Sequence, residues 1–363
     1  MSHHPIRVQV GPANYFAHPG AIARLSEFFT TEELEHAFWI HGTKALAAAT
    51  PYLPEPFHSP HAIHANFAGH LTQEQIAHLL AEAGETRRLV IGIGGGSVLD
   101  TAKVVARRLK LPFVAIPTIA ATCAAWTPLS VWYNARGEAQ HIEYFPDANY
   151  LLLLEPELLL GAPLEYLQAG IGDTLAKWYE AFVLTQPVQP LPFTAELGVT
   201  TARWIKDLLV EKSAQALEAN LQHQLSPEFE AVVGAIVAGG GMVGGLGEKF
   251  TRIAAAHSIH NGLTAIPETH AILHGLKVAY GILVQVALLN DEEELERLLP
   301  LFRHLRLPTS LHELKVDWSD PVSRQKLVQK TLEPNESIWL MPNINSARLT
   351  QAIDRVEQQF TRS

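Results

Sequence analysis

Hydrophobic and polar positions follow two different patterns along this chain. Through the first 160 residues, short apolar runs alternate with amphipathic stretches. "RVQVG" (7–11) alternates with a period of two and predicts a short strand. "LEHAFWIHG" (34–42) predicts a buried strand closing at a glycine, and "RRLVIGIGGGS" (87–97) a β-rich run ending in three glycines. "PFVAIPT" (112–118) and "ANYLLLLEP" (148–156) predict two further buried strands. Between them, "VLDTAKVVARRLK" (98–110) has helical periodicity, with basic residues in the last turns where they suit the helix dipole. Strands alternating with helices predict a parallel sheet. "LSVWYNARGEAQHIEY" (129–144) predicts an inserted hairpin that turns near Gly137. After Pro163 the pattern becomes helical throughout, at 165–186, 192–221, 228–245, 249–263, 271–289, 292–304 and 347–361, with no strand pattern. The expectation is a Rossmann-like α/β domain over residues 1–160 followed by an all-α domain over 161–363. No internal repeat or low-complexity tract stands out.

Composition narrows the class. The chain has 363 residues, 47% of them hydrophobic, enough for a large core and for more than one domain. Charged residues make up only 18%, which argues against long disordered tails. The 37 acids outnumber the 27 bases for a net charge of −10, and no Lys/Arg-rich run appears, so a nucleic-acid partner has no electrostatic support. Cys123 is the one cysteine, which rules out a disulfide within the chain. The opening "MSHHPIRVQVGPANYF" has no apolar core of a secretory signal, and no apolar run suggests a membrane span. A cytoplasmic setting without a membrane partner is expected.

Two loops have ligand-binding character. "GIGGGSVLD" joins a strand to a helix, where glycines let the backbone approach an anion and free N–H groups at the helix start point at it. The alternative is a tight turn with no ligand. The loop is not the dinucleotide fingerprint, because Ser97 stands where Gly or Ala is wanted, and it lacks the Gly-Lys-Ser/Thr of a Walker loop. "PTIAATCAAWTP" (117–128) follows the next strand, at the strand end that lines the ligand crevice in open α/β sheets. Its Thr118 and Thr122 could equally be helix caps.

The densest chemistry is "AAAHSIHNGLTAIPETHAILHG" (254–275), which gathers His257, His260, His270 and His274. "QAGIGDTLAKWYEA" (168–181) opens the helical half and carries Asp173. An acid near a helix start is most often a cap. Two histidines and one carboxylate would instead make a mixed N/O site suited to zinc or ferrous iron, with positions left for substrate. The spacing is not the compact HExxH type, so spacing alone leaves a metal site, surface rings and packing all open.

Taken in order, "GGGSVLDTAK", "PTIAAT", "LSVWY", "GIGDTLAKWYEA", "AAAHSIHNG" and "LHGLKVAYG" resemble the glycerol-dehydrogenase branch of the iron-containing alcohol dehydrogenase superfamily, which shares its architecture with dehydroquinate synthase. The resemblance covers roughly residues 5 to 360. It implies metal ligation by Asp173, His257 and His274, with His257 also close to substrate. It implies cofactor contacts from Gly95, Gly96, Ser97, Asp100, Thr118, Ala121, Thr127, Leu129 and Tyr133. It further implies a helical metal-binding domain, a cleft between the domains and a homo-oligomer. His260 would support packing or a ligand, and His270 would be peripheral. For the final proton donor, His260, Tyr133 or a metal-bound water are the candidates.

Three departures refine the expectation. Glycerol dehydrogenases of this family hold the polyol with an aspartate where this chain has Cys123. Losing that carboxylate suits an anionic substrate; the alternative is drift in a roomy loop. NAD-dependent members end the early strand with an acid, whereas here Gly42 is followed by Thr43 and Lys44, which would welcome a 2′-phosphate. That favours NADPH over NADH; the alternative is an NAD enzyme with a weak ribose contact. Lys177 stands four residues after Asp173, where the iron-dependent branch has a histidine. It would either face a substrate carboxylate, giving it a catalytic and substrate-binding role, or form an ordinary i,i+4 ion pair. With "AATCAAWTPLSVWYN" and "AGGGMVGGLG", these features are similar to members that use NADPH to reduce short 2-oxo acids, such as 2-oxoglutarate and 2-oxobutanoate, to 2-hydroxy acids. The alternatives are an NAD-dependent glycerol or polyol dehydrogenase, a lyase similar to dehydroquinate synthase and a non-catalytic cofactor-binding relative. The lyase is disfavoured because the extra Lys/Arg groups for a phosphorylated substrate are absent.

Overall fold

The computed structural model describes residues 6–134, 139–188 and 190–361. Contacts gather the chain into two compact units. One comprises Gln9–Pro163 with Ala219–Gly241, and the other Met1–Val8, Leu164–Glu218 and Met242–Ser363.

The first unit is built on strands β1 (Asn14–Ala17), β2 (Ala37–His41), β3 (Ile63–Asn66), β4 (Leu89–Gly94), β5 (Phe113–Pro117), β6 (Leu129–Tyr133), β7 (Ala139–Tyr144) and β8 (Leu151–Leu154). Six of them form a parallel sheet in the order β1-β8-β5-β4-β2-β3. β2, β4, β5 and β8 are buried at every position. Strands covered on both faces must be apolar throughout, which is why these four read as continuous hydrophobic runs in the sequence. Trp39, Ile91, Val114 and Leu153 pack one core cluster with Ile22, Phe29 and Phe57. β6 and β7 form the separate antiparallel hairpin; the expected turn near Gly137 lies outside the described residues.

Two strand expectations needed correction. Residues 7–11 form no strand, and the sheet edge is instead Asn14–Ala17, paired with β8. Val8 and Val10 stay about 39% and 41% exposed, so their alternation buries nothing. β3 was not anticipated because "IHAN" has mostly partial or full exposure at the other sheet edge.

The second unit is helical, and no strand occurs in it among the described residues. The helix Leu164–Thr185 packs with Ala255–Thr264 and His274–Leu288. The Pro321–Thr331 helix escaped the pattern analysis because only Leu327, Val328 and Thr331 are buried on it. A stretch from Pro227 to Phe250, of which Pro227–Gly241 belongs to the sheet unit, is long and apolar enough to cross a bilayer by length and composition. Most of it is buried within the protein, as a core helix is, and it is broken by a π-helical turn at Ala235–Gly239.

What sets the geometry of the helical unit is backbone touching backbone. A Cβ on Gly275 would lie 1.8 Å from the carbonyl oxygen of Ala169, and one on Gly172 would lie 2.5 Å from that of Gly275. A Cβ on Gly281 would lie 2.3 Å from the carbonyl oxygen of Ala256. Glycine is required at these positions by close approach, since each φ is ordinary for a helix. Each glycine also neighbours, in sequence or in space, a residue of interest: Gly172 precedes Asp173, Gly275 follows His274, and Gly281 meets the residue before His257.

We therefore expect Gly275→Ala to destabilise the fold by about 3 kcal/mol, the upper part of the range for overpacking a site whose neighbour is backbone and cannot rotate away. Urea unfolding checks it. A change below about 0.5 kcal/mol would show that the two helices separate without cost.

Candidate metal centre

Asp173 lies in the middle of the Leu164–Thr185 helix, not at its start, which removes the capping alternative. It is 4% exposed. His257 projects from the first turns of the Ala255–Thr264 helix, and His274 is the first residue of the His274–Leu288 helix. Three separate helices thus deliver three side chains to one point. Their ligand atoms all lie within 4.8 Å of one another. Nε2 of His257 and Nε2 of His274 are each 3.3 Å from Asp173 Oδ1. That oxygen is buried, and neither contact has hydrogen-bond geometry. Two imidazole nitrogens and a carboxylate oxygen converging on a common point are what a tetrahedral N/O site requires. The residues fit a divalent ion, zinc or ferrous iron.

The outer nitrogens of both imidazoles are occupied. His257 Nδ1 lies 2.8 Å from Glu180 Oε2, and Glu180 is fully buried. The other oxygen of Glu180 accepts the backbone N–H groups of Ala254 (2.7 Å) and His257 (3.1 Å). One carboxylate therefore caps the start of the histidine helix and orients its ring, the usual support for a metal-bound histidine. Sequence reasoning missed Glu180. The available signal was its position seven residues after Asp173, two turns along the same helix face. His274 Nδ1 lies 2.9 Å from His260 Nε2, and His260 Nδ1 lies 3.0 Å from Asn261 Oδ1. His260 thus has both ring nitrogens engaged within the protein. His270 sits apart, with Nε2 against Thr264 O at 3.0 Å.

The electrostatics follow from burial and neighbours. Burial opposes ionisation of Asp173, but the charge of Lys177 and the two imidazoles overcome it and hold the carboxyl well below its usual range. Burial likewise opposes a charged His257, yet the Glu180 charge and the Asp173 and Glu180 contacts raise its pKa to about 9. His260 is driven well below its usual value by burial, then by the charge of His274, Lys277 and His257. His274 is lowered as well, chiefly by desolvation from the protein packed around its ring, although 41% of the side chain remains exposed. Lys177, one turn after Asp173, is the leading charge acting on that carboxylate and also acts on both histidines.

In the sheet unit, the expected cofactor residues gather around the ends of β4, β5 and β6. Gly95 is the N-cap of the Gly96–Leu109 helix, and Ser97 is exposed in its first turn. A Cβ on Gly95 would lie 2.6 Å from Ile119 Cδ1, and one on Gly94 would lie 2.7 Å from Val98 Cβ. Packing therefore already requires part of this glycine run. Thr118 is buried, with its N–H on Gly94 O at 3.2 Å, while Ala121, Thr127, Leu129 and Tyr133 are partly exposed. Asp100 Oδ2 accepts the N–H of Val131 at 3.1 Å, and its Oδ1 is buried without a hydrogen-bond partner although Lys103 Nζ lies 2.8 Å away. That oxygen is ion-paired with Lys103 without a well-formed hydrogen bond, which leaves it able to accept from a cofactor amide as well. Burial and the Asp100 charge push the Tyr133 phenol up to about 12. Lys103, which sequence reasoning did not single out, donates to the carbonyls of Ala124 (2.9 Å), Thr127 (3.1 Å) and Leu129, pinning the 117–133 stretch to the helix. Cys123 lies in this stretch, and its carbonyl accepts the N–H groups of Trp126 and Thr127. Gly42 caps the short Thr43–Ala49 helix, Thr43 Oγ1 donates to Asn66 Oδ1 at 3.0 Å, and Lys44 is exposed.

The profile of the iron-containing alcohol dehydrogenase family matches residues 12–152. The chain is 54% identical to hydroxycarboxylate dehydrogenase A of Escherichia coli K12, over 98% of this chain and 99% of that protein. It is 36% identical to the glycerol dehydrogenase of Thermotoga maritima, over 76% of each. The crystal structure of glycerol dehydrogenase from Schizosaccharomyces pombe superposes with a TM-score of 0.87 at 28% identity, covering 98% of this chain and 92% of that one.

The raised pKa of His257 sets a pH dependence. In metal-stripped protein the charged ring is favoured, so its clasp with Glu180 stabilises the fold fully below pH about 6.5 and is lost as pH rises through about 9. Metal must displace that one proton, whereas the lowered His274 is already neutral at pH 7.5. Zinc affinity should therefore rise about tenfold per pH unit from 6.5 to 8.5 and flatten above 9. Chelator competition across that range checks it, and a flat profile would remove His257 from the ligand set.

Proposed function

This chain belongs to the glycerol-dehydrogenase-like branch of the iron-containing alcohol dehydrogenase family, and from that premise we propose that it uses NADPH to reduce short 2-oxo acids, of the 2-oxoglutarate and 2-oxobutanoate type, to 2-hydroxy acids. The single observation that carries the choice of an acid is Lys177, whose charge acts on Asp173 and on both histidines at the candidate metal centre. An acid-binding centre gains from a fixed positive group, because a substrate carboxylate brought there must otherwise shed its water without a partner.

When bound, a divalent ion supplies Lewis acidity toward the 2-oxo oxygen and the nicotinamide supplies the hydride. Asp173, His257 and His274 hold the ion. Glu180 keeps the Nδ1 proton of His257 turned away, so that Nε2 presents its lone pair. Lys177 receives the substrate carboxylate. Ser97 and the N–H groups that start the Gly96–Leu109 helix would hold the cofactor phosphates, and Asp100 would supply an acceptor for its amide. Thr43 and Lys44 receive the 2′-phosphate, with Gly42 withholding the carboxylate that would repel it.

A screen of NADPH and NADH oxidation against 2-oxo acids, neutral aldehydes and ketones, together with glycerol oxidation, tests the reading. NADPH with a 2-oxo acid should give the highest kcat/KM. Glycerol with NAD as the best pair would replace it with a polyol dehydrogenase. Two substitutions sharpen the test. Lys177→Ala should lower kcat/KM for 2-oxo acids by roughly 10- to 150-fold more than for neutral carbonyls, the worth of a charge-assisted contact; equal losses would assign Lys177 to the helix or the metal. A Cβ on Gly42 would meet nothing closer than 3.7 Å, so Gly42→Asp should fold normally. It should move cofactor preference toward NADH by about tenfold or more, roughly 1.4 kcal/mol. An unchanged NADPH/NADH ratio would overturn the assignment of this strand end.

A further inference from the structure

The ring of His274 presents a problem that the ligand set alone does not solve. Its Nε2 faces Asp173 and must be bare to bind a metal, yet its Nδ1 faces another ring nitrogen, His260 Nε2, at 2.9 Å. Between two imidazole nitrogens either can donate, so this pair alone does not fix which nitrogen of His274 carries the proton.

The chain of contacts continues. His260 Nδ1 lies 3.0 Å from Asn261 Oδ1, and Asn261 Nδ2 lies 3.0 and 3.1 Å from the two carboxylate oxygens of Glu336. Glu336 stands between the Pro321–Thr331 helix and the Ser337–Leu340 turn, 62 residues beyond His274 in sequence, and it is partly buried. A carboxylate only accepts, so it fixes the amide of Asn261 with its NH2 toward Glu336 and its oxygen toward His260. That oxygen only accepts, so His260 carries its proton on Nδ1. Neutral His260 then has a lone pair on Nε2, and His274 must donate to it from Nδ1. The lone pair of His274 is left on Nε2, facing Asp173. With the Asn261 amide reversed, every link inverts, and His274 would turn an N–H into the metal centre.

We propose that Glu336 is a positioning residue for the metal centre, acting through Asn261 and His260 to hold His274 in the tautomer that offers Nε2 as a ligand. The inference rests on the reading of Asp173, His257 and His274 as metal ligands, and it assigns His260 to a relay of hydrogen-bond direction instead of proton donation to substrate. The neighbouring segment has a second tie, because Ile338 N donates to Ser258 Oγ at 2.9 Å; Ser258 also interacts with the Glu336 carboxylate, so the conservative Gln variant is the control for that anchor.

The test uses the full chain, with zinc as the probe, and reads two quantities: zinc affinity by chelator competition, and the histidine tautomers of metal-stripped protein by nitrogen-15 NMR. Glu336→Ala should weaken zinc binding by about 10- to 100-fold, the usual effect of losing an outer partner of a metal-bound histidine. It should also convert His260 and His274 from the Nδ1–H form to a mixture. Glu336→Gln keeps an acceptor for Asn261 Nδ2 and should retain most of the affinity. Asn261→Asp in the Glu336→Ala background should restore it, because a carboxylate at 261 accepts from His260 Nδ1 in either orientation. A structural anchor at Glu336 would show no such rescue. Unchanged tautomers in Glu336→Ala, or equal losses in the Ala, Gln and double variants, would overturn the proposal. Failure of the wild-type protein to bind zinc would instead remove the ligand reading, and the tautomer measurement would still decide the role of Glu336. Should Glu336→Ala not fold, Glu336→Gln is read by the same two measurements, and a loss of zinc affinity or of the Nδ1–H tautomers in it would overturn the proposal.

Discussion

The helical unit depends on helices brought close enough for backbone to touch backbone. Side chains as short as Asp and His can converge on one ion only if the helices bearing them lie closer than ordinary side-chain packing permits, because interhelical distances are usually set by the side chains at the contact. Gly172 against Gly275 brings the aspartate helix to the start of the helix that carries His274. Gly281 against Ala256 brings that same helix to the one carrying His257. Placing the ligands beside these contacts, and not several turns away, means that small changes in helix tilt move them least. The fold and the candidate centre are in this sense one constraint.

Polar groups around the centre share a direction. Both histidines turn Nε2 toward Asp173 and pass Nδ1 to a partner that ends at a carboxylate, directly at Glu180 or through His260 and Asn261 at Glu336. Burying this many hydrogen-bonding groups is costly unless every donor meets an acceptor. The arrangement sends both Nδ1 atoms outward to these partners and leaves the two Nε2 atoms and Asp173 Oδ1 at the centre. Once His257 gives up its extra proton these atoms are all acceptors, and a cation supplies what they lack.

How much of this was legible in the sequence follows from range. The four fully buried strands were readable because continuous apolar runs encode burial locally, as "LLLL" in β8 does. Edge strands were not: "IHAN" carries little hydrophobic signal, and "RVQVG" carries the right alternation where no neighbouring strand lies beside it. Asp173, His257 and His274 could be named only by resemblance, since the pattern of histidines left three readings open. Their proximity in the fold now stands on geometry. Glu180 was within reach through helical periodicity. Glu336 was not, because no local pattern links residue 336 to residue 274; only the packing of the 333–338 segment against the histidine helix does.

The sheet unit meets a similar demand by another route. A loop that is to lie along a cofactor must be ordered before the cofactor arrives, or binding has to order it at a cost in affinity. Here no glycine contact fixes the 117–133 stretch as a whole; a buried lysine does. Lys103 is buried, and its ammonium gathers the backbone carbonyls of Ala124, Thr127 and Leu129, with Asp100 alongside to balance the charge. An ammonium has three donors and no acceptor, so it can hold several carbonyls converging from different turns, which a neutral side chain of that length cannot do. The same placement leaves one oxygen of Asp100 without a hydrogen bond. In both units, then, residues that order the scaffold hold one buried carboxylate oxygen beside nitrogen groups, Asp173 Oδ1 between the two imidazoles and Asp100 Oδ1 beside the Lys103 ammonium, without a well-formed hydrogen bond to either.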